Sequence, residues 1–126
     1  MTRIFFVSGK NGEFDQFIES LPEEWNNSLG TCSTREFGLS IVKNNDVDVV
    51  VVGSELRDCD SLDFAKELMK EYPLVNCAMV SDLGHDEFHE VTEGYGLFMQ
   101  LPPNPGAEDA SKMIELYQSI TGLMSA

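Results

Sequence analysis

Positive charge is what this chain has least of. Eight Lys and Arg stand against 22 Asp and Glu, a net charge of −14. Such a surface repels nucleic acid and anionic lipid, which excludes both as general partners, and it favours solubility and a basic protein partner. Cysteine is scarce too: Cys32, Cys59 and Cys77 lie far apart, with no C-x-x-C pair, and an odd count argues against a disulfide framework. Long apolar runs are missing; Val49–Val52 is far too short to span a bilayer. The opening Met1-Thr2-Arg3-Ile4 carries no signal-peptide pattern, so a cytoplasmic, reduced setting is expected. Low-complexity tracts, linkers and repeats are absent. With 126 residues, 42% hydrophobic and 24% charged, the expectation is one globular domain over 1–126 with a sizeable core.

What is present is alternation. Short apolar runs occur at Ile4–Val7, more weakly at Leu29–Ser33, then at Val47–Val52, Val75–Val80 and Leu97–Leu101. The third is nearly continuous valine, the pattern of a strand covered on both faces. Helical spacing fills the gaps. Phe14, Phe17, Ile18 and Leu21 share one face, and Phe37 and Ile41 support a shorter helix with Thr34 as cap. Ala65, Leu68, Met69 and Tyr72 form a third helix that must stop before Pro73. Phe88 and Val91 indicate a fourth, and Ala110, Met113, Ile114 and Tyr117 a fifth that ends near Gly122, with Glu108 and Asp109 at its positive end. The sum, βαβαβαβαβα, predicts a three-layer, doubly wound, five-stranded parallel sheet of flavodoxin-like order 2-1-3-4-5. Ligands and chemistry in such a sheet sit at the carboxyl ends of the strands: Ser8-Gly9, Gly53-Ser54-Glu55, Ser81-Asp82 and Leu101-Pro102.

The segment Asp60-Ser61-Leu62-Asp63-Phe64-Ala65-Lys66-Glu67-Leu68 followed by Tyr72-Pro73 resembles the third-helix region of bacterial response-regulator receiver (CheY-like) domains. Ala78-Met79-Val80-Ser81 is similar to the end of their fourth strand, and Gly94 with Phe98, Leu101 and Pro102 to their closing G-A-x-x-[FY]-[LIV]-x-K-P pattern. The resemblance covers nearly the whole chain in element order. It implies a signalling module, and it also implies what has been lost. The acidic pair after the first strand is replaced by Ser8 and Gly9, the phosphoacceptor Asp by Gly53, and the lysine before the proline by Leu101. Only Ser81 at the hydroxyl position and Phe98 at the aromatic position match. Aspartyl phosphorylation needs a carboxylate nucleophile, a Mg²⁺ held by several oxygens, and a cation on the moving phosphoryl group. Three independent losses predict a degenerate pseudo-receiver: no enzyme activity, no cofactor, no metal, and a role in protein interaction. By resemblance the working face is that of the fourth helix, fifth strand and fifth helix, with Phe88, Val91, Phe98, Met99, Met113 and Tyr117 on it or in the core beneath, serving a protein partner or a homodimer. The resemblance also implies a cis Leu101–Pro102 bond.

Other candidates carry less. Ser54, Glu55 and Asp82 stand at the mouth of the pocket, and Glu55 is either a permanent negative charge there or an exposed loop residue. His85 and His89 stand at i, i+4, a zinc-compatible spacing with no evident third ligand. Ser8-Gly9-Lys10-Asn11-Gly12 invites comparison with a phosphate loop but fits neither G-x-G-x-x-G nor G-x-x-x-x-G-K-[ST]; with Ser54 it defines an alternative, a small-ligand or nucleotide-binding domain. Trp25 is either an exposed anchor or packed near the end of the first helix.

Overall fold

Parallel strands need crossovers, and valine-rich strands need cover on both sides; the architecture answers both needs. The computed structural model describes residues 2–125, with side chains through residue 122. Its elements are β1 (Thr2–Val7), α1 (Asp15–Glu19), β2 (Trp25–Asn26), β3 (Thr31–Cys32), α2 (Arg35–Asn44), β4 (Val49–Val52), α3 (Ser61–Glu71), β5 (Asn76–Val80), α4 (His85–Thr92), β6 (Met99–Leu101) and α5 (Ala107–Ser125). The sheet order is β2-β1-β4-β5-β6, with β3 also on β1, and every pairing is parallel. This is the doubly wound, flavodoxin-like α/β order expected, with the second strand split into β2 and β3.

The split has a local cause. Asn26 Oδ1 accepts the Ser28 N–H at 2.8 Å, the Gly30 N–H returns to Asn27 O at 2.9 Å, and Gly30 adopts φ 74°. This turn lifts the chain off β1 between Trp25–Asn26, paired with Thr2–Arg3, and Thr31–Cys32, paired with Phe6–Val7. The predicted strand at Leu29–Ser33 is therefore present only as Thr31–Cys32.

Side-chain alternation sorts the core into two layers. Ile4, Phe6, Val49, Val51, Ala78 and Leu101 face α1 and α5, where Phe14, Phe17, Trp25, Ala110 and Met113 meet them. Phe5, Val7, Val50, Val52, Cys77 and Met79 face α2, α3 and α4, meeting Val42, Phe64, Leu68, Met69 and Phe88. All four residues of β4 are fully buried, as a strand covered on both faces requires.

Helix ends follow local chemistry. Thr34 Oγ1 accepts the Phe37 N–H at 3.2 Å and Asp60 Oδ2 the Asp63 N–H at 3.2 Å, so each caps its helix. α3 ends at Glu71, short of Pro73. Four expectations need correction. α1 is a single short turn rather than a helix from Phe14 to Leu21, because residues 10–14 are taken up by a turn and Pro22 follows Leu21. α2 buries Gly38 and Val42, leaving Phe37 61% exposed; a Cβ on Gly38 would stand 3.2 Å from the Phe64 ring and 3.3 Å from Val7 Cγ2, so a side chain there would push these neighbours back by a few tenths of an ångström. α5 runs through Gly122, since a lone glycine weakens a helix without ending it. The Leu101–Pro102 bond is trans, as is every described peptide bond. The Leu101 carbonyl still accepts the Ser81 N–H at 3.0 Å, and the chain turns later, at Asn104, which adopts φ 51°.

Candidate functional site

The strand order reverses between β1 and β4, since β1 leads outward to β2 and β3 while the chain returns through α2 to β4. The crevice at the carboxyl ends of these two strands is where a doubly wound sheet offers a site. Its floor is Ser8, following Val7, and Gly53, following Val52. The Gly53 N–H donates to Val7 O at 2.7 Å and the Ser8 N–H to Cys32 O at 2.8 Å, so strand pairing fixes both positions.

The crevice is filled from within. Glu13, on the turn between β1 and α1, is only 4% exposed. Its Oε1 accepts the Ser8 hydroxyl at 2.6 Å, and its two oxygens accept the Ser54 N–H at 3.1 and 3.0 Å. Among the described residues no cation pairs with it. The charge is held by hydrogen bonds alone, the minimum a buried carboxylate needs. Gly53 makes room for it. A Cβ placed on Gly53 would collide with Glu13 Oε1 and lie 2.7 Å from both Ser8 Cβ and Oγ. The sequence offered little to single out Glu13, one acid among 22; the only pointer was its place in the loop after β1, across from a glycine.

A second layer lies over the first. The Gly9 N–H donates to Glu55 O at 2.6 Å, and a Cβ on Gly9 would be 3.1 Å from Arg57 N and Leu56 C. The backbone of residues 55–57 thus rests on Gly9. The Arg57 N–H donates to Ser33 O at 3.0 Å, and Asp58 accepts the Arg35 N–H at 2.7 Å and the Glu36 N–H at 3.3 Å. These backbone donors, Arg35 first, hold the Asp58 carboxyl below the usual carboxylate range. Arg35 also forks onto Glu67 of α3 at 2.6 and 2.5 Å, and that hydrogen-bonded pairing lowers the Glu67 pKa.

The remaining predicted positions are dispersed. Ser81 Oγ accepts the Leu83 N–H of its own loop at 3.2 Å, and Gln100 Nε2 ties the same loop to β6 through Leu83 O at 2.8 Å. Leu101 is fully buried in the core layer beneath α5. Ser54, Glu55 and Asp82 are exposed, with Ser54 contributing its backbone N–H to the site. Of the surface candidates, Phe88 and Met113 belong to the core: they lie on the inward stripes of α4 and α5. Val91, Phe98, Met99 and Tyr117 are half-buried. Trp25, 5% exposed, is no surface anchor and packs not on α1 alone but edge-on against Tyr117 of α5, with ring centroids 5.2 Å apart. The His85 and His89 rings do meet, 4.6 Å apart, but among the described residues no group of three His, Cys, Asp or Glu could hold a metal ion. No described helix is long and apolar enough to cross a membrane.

No protein-family model matches the sequence, and no curated protein matches it. Solved structures do. A response-regulator receiver domain protein (CheY-like) from Methanospirillum hungatei JF-1 is similar with a TM-score of 0.75 at 16% identity, over 97% of this chain and 98% of that one. The signal receiver domain of an HD domain-containing protein from Pseudomonas fluorescens Pf-5 gives 0.71 at 15% identity, over 98% and 90%. The chemotaxis response regulator CheY4 of Vibrio cholerae gives 0.74 at 13% identity, over 91% and 97%. Similarity at these identities speaks for the fold: the chain has the CheY-like α/β architecture of receiver domains.

Proposed function

We propose that this chain is a pseudo-receiver: a non-catalytic protein-interaction module of bacterial two-component-type signalling that does not undergo aspartyl phosphorylation. The observation that carries the reading is the Glu13 carboxylate at the head of β1 and β4, over a glycine. In this reading Gly53 stands at the phosphoacceptor position, and its missing side chain is replaced in space by a carboxylate from another element. Ser8 and Gly9 stand at the metal-binding acidic positions and offer no anionic oxygen for Mg²⁺. Leu101, at the lysine position, is part of the core and supplies no cation for a phosphoryl group. Ser81, at the hydroxyl position, is bonded into its own loop.

The interaction face in this reading comprises the half-buried Val91, Phe98, Met99 and Tyr117 around α4, β6 and α5, and the net charge of −14 favours a basic partner surface. A small-ligand or nucleotide domain using the loops after β1 and β4 is less well supported: Glu13 fills the space directly above Gly53, and the open cavity of about 570 Å³ beside it, lined by Ser8, Lys10, Gly12, Thr34 and Arg57, carries no nucleotide-binding motif.

The test is exposure of the purified protein to acetyl phosphate and Mg²⁺, with mass spectrometry for a phosphoryl adduct, and melting with and without Mg²⁺ and beryllofluoride. The expected result is no adduct and no shift, beside a phosphorylatable receiver that shows both. A shift of several degrees, or an adduct on any carboxylate, overturns the reading.

A further inference from the structure

The receptor and the ligand of the crevice differ in how they are held. The donors are rigid. Ser8 is tied to Cys32 O through its own N–H and Gly53 to Val7 O, so strand pairing places both backbones, and Ser8 Oγ also accepts the Lys10 N–H at 3.1 Å and lies 3.2 Å from Lys10 O. The ligand is soft. Glu13 rides on a turn whose backbone bonds are long, Glu13 N to Lys10 O at 3.4 Å and Asp15 N to Gly12 O at 3.3 Å, with Gly12 at φ 76°. That turn is tied further by the Lys10 N–H to Ser8 Oγ at 3.1 Å and by one exposed bond, Lys10 Nζ to Asn104 Oδ1 at 3.2 Å. Two converging donors, one buried and one half-buried, beside a glycine that adds no side chain, define a small anion receptor.

We infer that the Ser8–Gly53–Ser54 crevice is a carboxylate-binding seat, and that Glu13 is its tethered ligand. The inference deepens the reading above and rests on it for what the seat has replaced; the chemistry of the seat rests on the hydrogen bonds alone. The class of ligand is a small monocarboxylate. The two donors match one carboxyl group, and among the described residues no cation is ion-paired at the seat to hold a phosphoryl group, Lys10 and Arg57 lining the open cavity beside it instead. Tethering makes occupancy independent of solution concentration, so the domain is held in one state. The same occupancy pins residues 10–14, and through Lys10 and Asn104 the loop that enters α5.

The experiment vacates the seat and refills it. Glu13→Ala exposes the Ser54 N–H, whose hydrogen exchange is expected to accelerate at least about tenfold over wild type by NMR. Sodium formate at roughly 100 mM, but not sodium chloride, is expected to restore protection and raise the variant's Tm by about 2 °C while leaving wild type unmoved. Glu13→Gln keeps the shape without the charge, and is expected to lose Ser54 protection with no formate response; it serves as well if the alanine variant fails to fold. A folded Glu13→Ala variant indifferent to formate overturns the inference, as does a Glu13→Gln variant protected like wild type. A phosphoryl adduct on the wild type would refute the pseudo-receiver reading and leave the formate result standing, so the two failures are distinguishable.

Discussion

Gly53→Ala isolates the central packing argument. Gly53 does not lie in the left-handed region, so its backbone accepts any L-residue, and stiffening the unfolded chain would by itself favour alanine by about 0.4–1 kcal/mol. What refuses alanine is space. The added carbon collides with Glu13 Oε1 and stands 2.7 Å from Ser8 Cβ, an atom fixed to β1 that cannot swing aside. Overpacking of this kind costs about 1–3 kcal/mol. Expelling Glu13 also leaves the Ser54 N–H without its acceptor, at about 1–3 kcal/mol if it stays dry, whereas the Ser8 hydroxyl can turn to Lys10 O, 3.2 Å away. The net expectation is a loss of about 2–4 kcal/mol. For a chain of this length, 1 kcal/mol corresponds to roughly 4 °C in Tm, so the melting transition should fall by about 8–16 °C. The double variant Gly53→Ala, Glu13→Ala removes one collision and keeps the one with Ser8. It should therefore cost about 1–2 kcal/mol less than the two single changes added together. Thermal and urea melts followed by circular dichroism supply all four corners. A Gly53→Ala protein melting within about 1 °C of wild type, or strict additivity in the double variant, would refute the claim that Glu13 fills the space above Gly53.

Acid should destabilise the fold through Asp58 and Glu67: their carboxyl pKa values are lowered in the folded state, so their contribution is present above their unfolded values near 4 and is lost as pH falls through the folded values. Asp58→Asn should then melt lower than wild type at pH 7 and show a shallower decline below about pH 4 in a Tm-against-pH series, and an unchanged slope would count against the assignment. Burial pushes the Cys77 thiol up to about 12, so a disulfide reagent at neutral pH should modify it only as the protein unfolds; mass spectrometry of the native protein should find Cys77 unmodified. Leu101→Lys, which restores the lysine that the receiver resemblance expects, should cost at least about 3 kcal/mol because the side chain is fully buried beside Val80 of the adjoining strand, in the layer under α5, whereas Leu101→Met should stay within about 1.5 kcal/mol; equal melting of the two would contradict the core placement.

Most of the fold was legible because its signals are local and periodic. The valine run of β4, the apolar stripe of α3 and the Pro73 stop each act within a few residues, and each appears where predicted. The failures are of another kind. Phe37 satisfies helical spacing with Ile41, yet α2 turns Gly38 inward, because close approach to Phe64 rewards a missing side chain and periodicity scores only present ones. β2 at Trp25–Asn26 is two residues long and is set by pairing with β1, which leaves no periodic trace. Phe88 and Met113 could not be separated from Val91 and Tyr117, since a helix packed against a sheet makes neighbouring positions on one stripe differ by the tilt of that packing. Glu13 and Ser54 are 41 residues apart, and nothing local in either segment announces the bond between them.

That long-range bond bears on how the site holds together. Gly53, Glu13 and Ser8 are interdependent: the glycine makes room for the carboxylate, the carboxylate satisfies the serine hydroxyl, and Ser8 Cβ in turn blocks any side chain on Gly53. Placing an aspartate at 53 alone would meet both neighbours and set two carboxylates side by side with no cation to share them, which like-charge repulsion opposes. Removing Glu13 alone leaves the Ser54 N–H without its acceptor and the Ser8 hydroxyl with only Lys10 O, 3.2 Å away. Each of these single steps therefore passes through a less stable protein. An arrangement of this kind is kept by its own packing. On the reading proposed above, a partner therefore acts from outside the crevice, on the faces around α4, β6 and α5 or on the Lys10–Asn104 tie.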